Sequence, residues 1–207
     1  MTLNTAFHIR AAALSDLDAI KRICLETSFA PDDVRYRALI PLRWATPYVE
    51  YNPENCFVVV NAAQADNVGG YILSALDTLS FRQYRFLHYE AQMQAALKEV
   101  LPLFSNEEQE DLKALFSLTP PKLDAVEKEI IEEYPAHLHI DISQTLQRRG
   151  LGSKLMDRLI AHLKEKKVPG VHLRVAADNA LGIRFYRKYG FDALLEADFT
   201  LYYGMRI

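Results

Sequence analysis

The sequence is poor in cysteine, in long apolar runs and in net charge of either sign. Its two cysteines, Cys24 and Cys56, allow at most one disulfide and show no spacing typical of a zinc site. The first twenty residues lack a basic segment followed by an unbroken apolar run, so we expect no signal peptide and no membrane span, and we expect a cytoplasmic protein. A formal net charge of -3 over 207 residues gives nucleic acid no electrostatic attraction, so no nucleic-acid partner is expected.

What is present is the composition of a globular protein, with half of the residues hydrophobic and a quarter charged. The length suits a single domain spanning residues 1–207. Alternation predicts strands in AFHIRAA, CFVVVNAA and GGYILSALD, and the turn-forming QADNVGG joins the last two as a hairpin. An amphipathic helix is predicted to start at Ser15.

The pattern becomes helical between about residues 78 and 134. Apolar spacing predicts helices in HYEAQMQAALKEVL, NEEQEDLKALF and PKLDAVEKEIIEEY. This stretch is too long for a simple connection between strands, so we interpret it as a helical insertion, a name kept below for residues 78–134. Its apolar faces must pack against the body of the domain or against a second subunit, which leaves a homodimer possible.

The C-terminal third alternates strands and helices around a glycine-containing turn. Strand AHLHIDI is followed by a predicted helix from Gly150 to Lys167, a strand VHLRVAA, a short helix ALGIRFYRKY and a final β pair. Gly150 and Gly152 stand where the long helix must begin, although glycine is a poor helix former. The free N–H groups and the dipole of a helix N-terminus attract an anion, and glycine allows a phosphate to approach the backbone.

Two common phosphate loops fail to fit this turn, because no Gly-Lys-Ser/Thr follows and Leu155 stands where a dinucleotide fingerprint needs a third glycine. The hexapeptide QRRGLG instead resembles the Gln/Arg-x-x-Gly-x-Gly/Ala signature of the GCN5-related N-acetyltransferase (GNAT) family. The downstream VAADNALGIRFYRKYGF is similar to the second half of that signature. Gly182 departs from the usual alanine, and Gln144 stands where a proline is often found.

This resemblance implies a mixed α/β (α+β) fold with a central, mostly antiparallel sheet, two splayed parallel strands and flanking helices. It also implies acetyl-CoA as cosubstrate, with no metal. The pantetheine would pair with the backbone of Ile140, Asp141 and Ile142, and an N–H at or next to Ile142 would face the thioester oxygen. The remaining cosubstrate contacts implied by the motif are Gln147, Arg148, Arg149, Gly150, Leu151, Gly152, Ser153, Asn179 and Tyr186.

The resemblance places Tyr186 where a phenol can protonate the leaving thiolate. The alternative is that Tyr186 is a packing residue of its helix. Alkylamines are mostly protonated at neutral pH, so a base is needed as well. Strand alternation puts His137, His139 and Asp141 on one face; Asp141 is the first candidate base, and His139 is the second, acting directly or through water. A structural role for all three remains open.

Two other kinds of chemistry are not expected. His137, His139 and His172 lack the Cys, Asp or Glu partners that would close a metal site. Neither cysteine lies in the motif region, so an acetyl-cysteine intermediate is not expected. The leading hypothesis is therefore an acyltransferase that transfers acetyl from acetyl-CoA to a primary amine by direct attack in a ternary complex.

The rival hypothesis is a catalytically silent acyl-CoA-binding or protein-interaction module. The stretch YPAHLHIDI is similar to the acetyltransferase-like domain of eukaryotic O-GlcNAcases, and the members of that branch are not all competent enzymes. For an active enzyme, the acceptor is a small-molecule amine or a protein amine. Its cleft would draw on Trp44, Tyr48, Tyr51 and Tyr84, whose alternative role is packing. The helical insertion would pack beside the entrance of this cleft and select the amines that enter, with dimerisation as its alternative use.

Overall fold

The computed structural model describes residues 7–62, 64–118, 123–197 and 199–207. Its helices are α1 (Leu17–Glu26), α2 (Leu39–Trp44), α3 (Thr46–Tyr51), α4 (Thr78–Val100), α5 (Asn106–Phe116), α6 (Ala125–Glu133), α7 (Leu151–Glu165) and α8 (Ala180–Tyr189). Its strands are β1 (Phe7–Ala11), β2 (Phe57–Asn61), β3 (Gln64–Ala75), β4 (Ala136–Ile142), β5 (Gly170–Ala176), β6 (Asp192–Ala197) and β7 (Thr200–Arg206). No described helix is both long and apolar enough to cross a membrane.

The strands form one mixed sheet in the order β1-β2-β3-β4-β5-β7-β6. Every neighbouring pair is antiparallel except β4 and β5, which run parallel. In the described part of the chain, β4 and β5 pair only at Ala136↔Val171 and His137↔His172. Beyond His137 the two strands diverge, which confirms the expected α+β fold with splayed parallel strands.

The two faces of the sheet carry separate apolar cores. One core contains the inward side chains of α1 to α5, with Ile20, Val49, Met93 and Phe116 fully buried. The core on the opposite face is built mainly by α7, whose apolar side is Leu151, Leu155, Met156, Leu159 and Leu163. On β4, Leu138 belongs to the α7 side, whereas His137 contacts rings of the α1–α5 side. The predicted alternation of β4 is thus confirmed.

The helical insertion lies between β3 and β4 and is part of the first core. Its longest helix, α4, starts at Thr78 because the Asp77 carboxylate accepts the N–H of Ser80 at 2.7 Å. The sequence analysis began this helix ten residues too late, at His88. The reason is that both sides of its first turns carry aromatic residues, so the expected polar stripe is absent.

Two other boundaries differ from the sequence analysis. The stretch QADNVGG was expected to be a turn, but it belongs to β3, which begins at Gln64 and pairs with β2 across an irregular register. The Pro-rich stretch before Cys56 was given no regular structure, yet it forms the short helices α2 and α3. Proline is accepted there because Pro47 occupies the first turn of α3, where a backbone N–H would be unpaired anyway.

Candidate active site at the splayed strands

The free edge of β4 presents backbone groups to the gap that opens beside β5. Ser143 N–H donates to the carbonyl of Gly69 at 3.0 Å, in the same register that pairs Asp141 with Tyr71. Hydrogen-bonded pairs alternate in an antiparallel ladder, so the backbone of Asp141 points toward β3 and that of Ile140 and Ile142 points away from it. Of the three backbone groups expected to contact pantetheine, those of Ile140 and Ile142 therefore face the gap.

The loop that follows β4 is held by the end of α1. The Glu26 carboxylate accepts hydrogen bonds from Ser143 Oγ at 2.9 Å and from Gln144 N–H at 2.7 Å. Further along the loop, the Gln147 side chain donates to the Ile142 carbonyl at 3.0 Å. Gln147 thus stabilises the loop through its side chain, and any contact with a phosphate would come from its backbone. These contacts fix the loop before any ligand binds.

Gly150 and Gly152 have different roles at the start of α7. Gly150 has a φ of 74° and precedes the first residue of the helix, a conformation that costs other residues roughly 1–2 kcal/mol. The chain also adopts positive φ at Arg148, at 62°. Gly152 has ordinary dihedrals, and a Cβ there would lie 3.5 Å from the ring of Phe185, which is normal contact. Folding therefore requires glycine at position 150 but not at 152.

The residue after Gly150 begins a helix whose first N–H groups have no intrahelical acceptor. The Gly150 carbonyl accepts the first intrahelical bond, from Lys154 N–H at 3.2 Å. The amides of Gly150, Leu151, Gly152 and Ser153 lie at this N-terminus, with the side chains of Leu151 buried and Ser153 exposed. Arg148 and Arg149 immediately precede them and are exposed. The arrangement can hold an anion close to the backbone.

Helix α8 carries the next predicted contacts. The Asn179 side chain accepts the N–H of Gly182 at 2.9 Å and so caps α8. A Cβ at position 182 would lie 2.9 Å from the Asn179 side chain, which explains why glycine replaces the usual alanine here. The side-chain oxygen of Asn179, Oδ1, is therefore engaged in the cap, and the side-chain nitrogen, Nδ2, is the group left for a ligand.

Tyr186 lies on the inner side of α8, with its ring against Phe185 and Phe191 at 5.4 and 5.8 Å between centroids. Burial, and to a lesser extent the Asp141 carboxylate, raise the pKa of Tyr186 well above its ordinary value. The phenol consequently keeps its proton at every physiological pH. The same shift indicates that α8 brings Tyr186 into the electrostatic range of Asp141 on β4.

Asp141 is the centre of a buried polar cluster that the sequence did not reveal. The Tyr71 hydroxyl donates to Asp141 Oδ2 at 2.5 Å, and His139 Nε2 lies 3.0 Å from the same oxygen, near enough for an ion pair though without hydrogen-bond alignment. Tyr71 is fully buried, and Cys24, on α1, is buried beside the cluster. Tyr71 and Cys24 come from β3 and α1, so only the folded register brings them to Asp141.

The charges in this cluster decide which group can accept a proton. Burial alone would lower the pKa of His139, but the Asp141 carboxylate outweighs it and raises that pKa to about 10. His139 is thus an imidazolium at neutral pH. Burial and the Asp141 charge both raise the pKa of Tyr71, which therefore stays neutral. The cluster thus joins a cationic ring at His139 and a neutral phenol at Tyr71 to the carboxyl group of Asp141.

His137 and His172, the other two histidines named in the sequence analysis, have structural roles. The Thr78 hydroxyl donates to the Pro135 carbonyl at 2.8 Å, so His137 Nδ1, at 2.8 Å from the same hydroxyl oxygen, must be the donor of that contact. His172 Nδ1–H donates to the Tyr134 carbonyl at 2.7 Å, and burial lowers the pKa of His172 to about 4. Both rings are therefore neutral and fixed in place.

One set of side chains has the spacing of a metal site among the described residues. Cys24, His139 and Asp141 each offer one ligand atom, and these three atoms lie within 4.8 Å of one another. A protonated imidazole cannot ligate a metal, and His139 holds its proton strongly, so a metal would have to displace that proton and share the carboxylate bound by Tyr71. The chemistry of these donors favours a proton-transfer cluster over a metal centre.

The aromatic residues named as acceptor candidates are mostly packed. Tyr48 is 6% exposed and lies between Phe81, at 4.3 Å, and His137, at 5.4 Å. Trp44 packs on Phe116 at 5.5 Å. Tyr51 and Tyr84 stack on each other at 4.6 Å and are partly exposed.

The sequence and the fold are similar to known acetyltransferases. Residues 102–191 match the family model of the acetyltransferase (GNAT) family. The crystal structure of SsHAT has a TM-score of 0.75 and 29% identity, covering 97% of this chain and 98% of that one. Ard1 from Thermoplasma volcanium has a TM-score of 0.58 and 19% identity, with 98% of both chains covered. Residues 102–191 are therefore similar to the GNAT family, and the fold is that of these acetyltransferases.

A third relative was crystallised with a ligand. The PaiA N-acetyltransferase from Thermoplasma acidophilum, solved in complex with coenzyme A, has a TM-score of 0.56 and 12% identity, covering 98% of this chain and 99% of that one. At this identity the similarity shows the shared fold alone, as it does for Ard1.

Proposed function

We propose that the protein is an acetyl-CoA-dependent N-acetyltransferase that acts by direct attack of a primary amine in a ternary complex. The observation that carries the proposal is the edge of β4 beyond its pairing with β5, where the backbone of Ile140 and Ile142 faces a gap, with Asp141 between them on β4 and Tyr186 within the electrostatic range of Asp141. The match to the GNAT family model and the fold support acetyl transfer in general.

The residues present fit the cosubstrate. The backbone of Ile140 and Ile142 would pair with the pantetheine amides, and the Ile142 N–H would stabilise the developing oxyanion. The α7 N-terminus, from Gln147 to Ser153, would receive the pyrophosphate, with Arg148 and Arg149 adding positive charge. Acetyl-CoA supplies a thioester whose carbonyl carbon forms the new bond to nitrogen while its bond to sulfur breaks.

The proton transfers follow from the charges of the site. Tyr186 keeps its proton at neutral pH and can give it to the departing thiolate, after which solvent restores it. The amine proton must pass to a group that is not already protonated. His139 is an imidazolium, so Asp141 takes the proton directly or through a water molecule, and His139 stabilises the carboxylate.

The test combines calorimetry with a thiol-release assay on a panel of amines. We expect the protein to bind acetyl-CoA and to release CoA only when an amine is present. Binding without release across the panel would replace the proposal with the silent acyl-CoA-binding module. Absence of binding would remove coenzyme A from the account altogether.

A further inference from the structure

Four arginines form a cationic cluster on the sheet face that carries α1 to α6. Arg43 comes from α2, Arg82 and Arg85 from α4, and Arg174 from β5. Arg85 Nη1 donates to the Arg43 carbonyl at 3.4 Å, and the Arg174 guanidinium stands 4.9 Å from the ring centre of Tyr202. We call these residues the arginine cluster.

Several donors of the arginine cluster have no acceptor. The Nε and Nη1 atoms of Arg43, Nη1 of Arg82 and Nε of Arg85 are buried and make no hydrogen bond. A buried, unsatisfied charged donor is among the most costly features that a folded protein can carry. Arg43, Arg82 and Arg85 nevertheless remain partly exposed as whole residues, and Arg174 is exposed, so a solute can reach the cluster.

The positive charges are only partly compensated. Burial, followed by the charge of Arg85, lowers the pKa of Arg43 to about 9, and burial also lowers the pKa values of Arg82 and Arg85. Glu127 favours the charge of Arg82, but this carboxylate also accepts the Tyr202 hydroxyl at 2.8 Å. An arginine still keeps its proton at neutral pH, so the cluster retains excess positive charge.

The cluster lies on the same face of the sheet as the side chain of Asp141, the proposed base. The charges of Arg43, Arg82 and Arg85 oppose the effect of burial on the pKa of Tyr48, so this residue lies near the arginine cluster. The ring of Tyr48 packs on His137. His137 is four residues before Asp141 on β4, a separation of about 13 Å along an extended strand. The contacts of Tyr48 and His137 therefore connect the arginine cluster with the strand that carries Asp141.

We propose that the arginine cluster binds an anionic group of the acceptor, a carboxylate or a phosphate, held on the order of 10 Å from the amine that is acetylated. This inference rests on the proposed function and names its acceptor class. The anion supplies the acceptors that the buried N–H donors lack and offsets the mutual repulsion of the guanidinium groups. Simple alkylamines lack this group and are poorer substrates.

The kinetic test compares acceptors that differ only in the anionic group. Wild-type protein is assayed with ω-aminooctanoate, with ω-aminooctyl phosphate and with octylamine. R43Q and R85Q should raise KM for the anionic acceptors by about tenfold or more, the effect of losing a charge-assisted hydrogen bond, and leave KM for octylamine nearly unchanged. The control R37Q, at an exposed position two residues before α2, should change neither. Preference for the phosphate over the carboxylate identifies which anion the cluster takes.

A second measurement does not depend on catalysis. Inorganic phosphate, compared with sodium chloride at equal ionic strength, should raise the thermal midpoint of the wild type and of R37Q more than that of R43Q or R85Q, in which only the α7 N-terminus remains to bind it. If no amine is acetylated, the proposed function fails, and this phosphate shift alone decides the anion site. No phosphate shift in the wild type, or an equal shift in all four proteins, overturns the inference. A uniform loss of activity toward all three acceptors in R43Q and R85Q also overturns it, because it marks a purely structural cluster.

Discussion

At the scale of single residues, the protonation states of Tyr186, His139 and Asp141 determine what the site can do. Tyr186 is on α8 and Asp141 is on β4, and the charge of Asp141 adds to the effect of burial in raising the pKa of Tyr186. Tyr71 and His139 both contact Asp141 Oδ2, so the carboxyl group is fixed in position. The site thus holds a proposed acid, Tyr186, and a proposed base, Asp141, on two different elements.

Replacing Tyr186 by Phe removes the proton donor while preserving the packing of the ring against Phe185 and Phe191. We expect kcat to fall by about 10²-fold or more, the usual size of a general acid's contribution, with acetyl-CoA affinity nearly unchanged. Steady-state kinetics and calorimetry measure the two quantities. Tyr189→Phe, on the same helix, is the matched control. Equal kcat values for wild type and Tyr186→Phe would assign Tyr186 a packing role.

His139 should make folding stability depend on alkaline pH. Its pKa is about 10 in the folded protein and roughly 6.5 in an unfolded chain, so the folded state binds the proton more tightly. The stabilisation is complete below the unfolded value and is lost as the pH rises through about 10. Denaturant midpoints from pH 6 to 10 should therefore fall less steeply in His139→Gln than in wild type.

The control for that series is His8→Gln, at an exposed position on β1. Its midpoints should follow those of the wild type at every pH. Parallel curves for all three proteins would show that the ion pair of His139 with Asp141 contributes no pH-dependent stability.

At the scale of elements, the β4–α7 loop shows why one glycine is required by the fold and the other is available for a ligand. Gly150 provides the positive φ before α7, and Gly152 leaves the helix N-terminus open. The loop is braced by Glu26 and by its own Gln147, so its amides keep one arrangement.

Substitution at position 152 separates anion binding from folding. Gly152→Ala places a methyl group in ordinary contact with Phe185 and should fold normally. Gly152→Glu adds bulk and negative charge at the anion cradle and should weaken acetyl-CoA binding by about tenfold or more, because the dipole and amides then meet a carboxylate. Calorimetry gives the affinities, and circular dichroism checks the fold. Unaltered affinity in a folded Gly152→Glu protein would place the pyrophosphate elsewhere.

The sequence predicted those elements whose signals are local. The boundaries of β4 and α8 agree with the expected AHLHIDI and ALGIRFYRKY, and the alternation on β4 placed His139 and Asp141 on one face correctly. The Tyr71–Asp141 contact was missed because it joins strands separated by the helical insertion, 70 residues apart in sequence. Cys24 was regarded as a small apolar residue for the same reason: its neighbours are set by the packing of α1 on the sheet.

At the scale of the whole molecule, the helical insertion is a structural part of the first core. Tyr89, Met93, Leu97 and Phe116 of α4 and α5 are buried there with α2 and α3. The expectation that the insertion forms the acceptor entrance or a dimer contact stays a prediction. Under the proposal made above, Arg82 and Arg85 place α4 at the acceptor entrance.

Replacing residues 82–130 by a short Gly/Ser linker should therefore unfold the protein, because it strips one core of its buried apolar side chains. Circular dichroism and thermal melting measure the outcome. A milder variant, Met93→Ala, should fold with a loss of roughly 2–5 kcal/mol. A folded, cooperative linker variant would show instead that the sheet and the remaining helices suffice as a domain.

The central claim is that this site joins an acetyl group to an amine and releases coenzyme A. The most direct measurement follows both products by mass spectrometry in one reaction with acetyl-CoA and an ω-amino acid. The account predicts one acetylated amine for each free coenzyme A, at a rate that Tyr186→Phe reduces. Free coenzyme A without amide product, or neither product from a protein that binds acetyl-CoA, would contradict it.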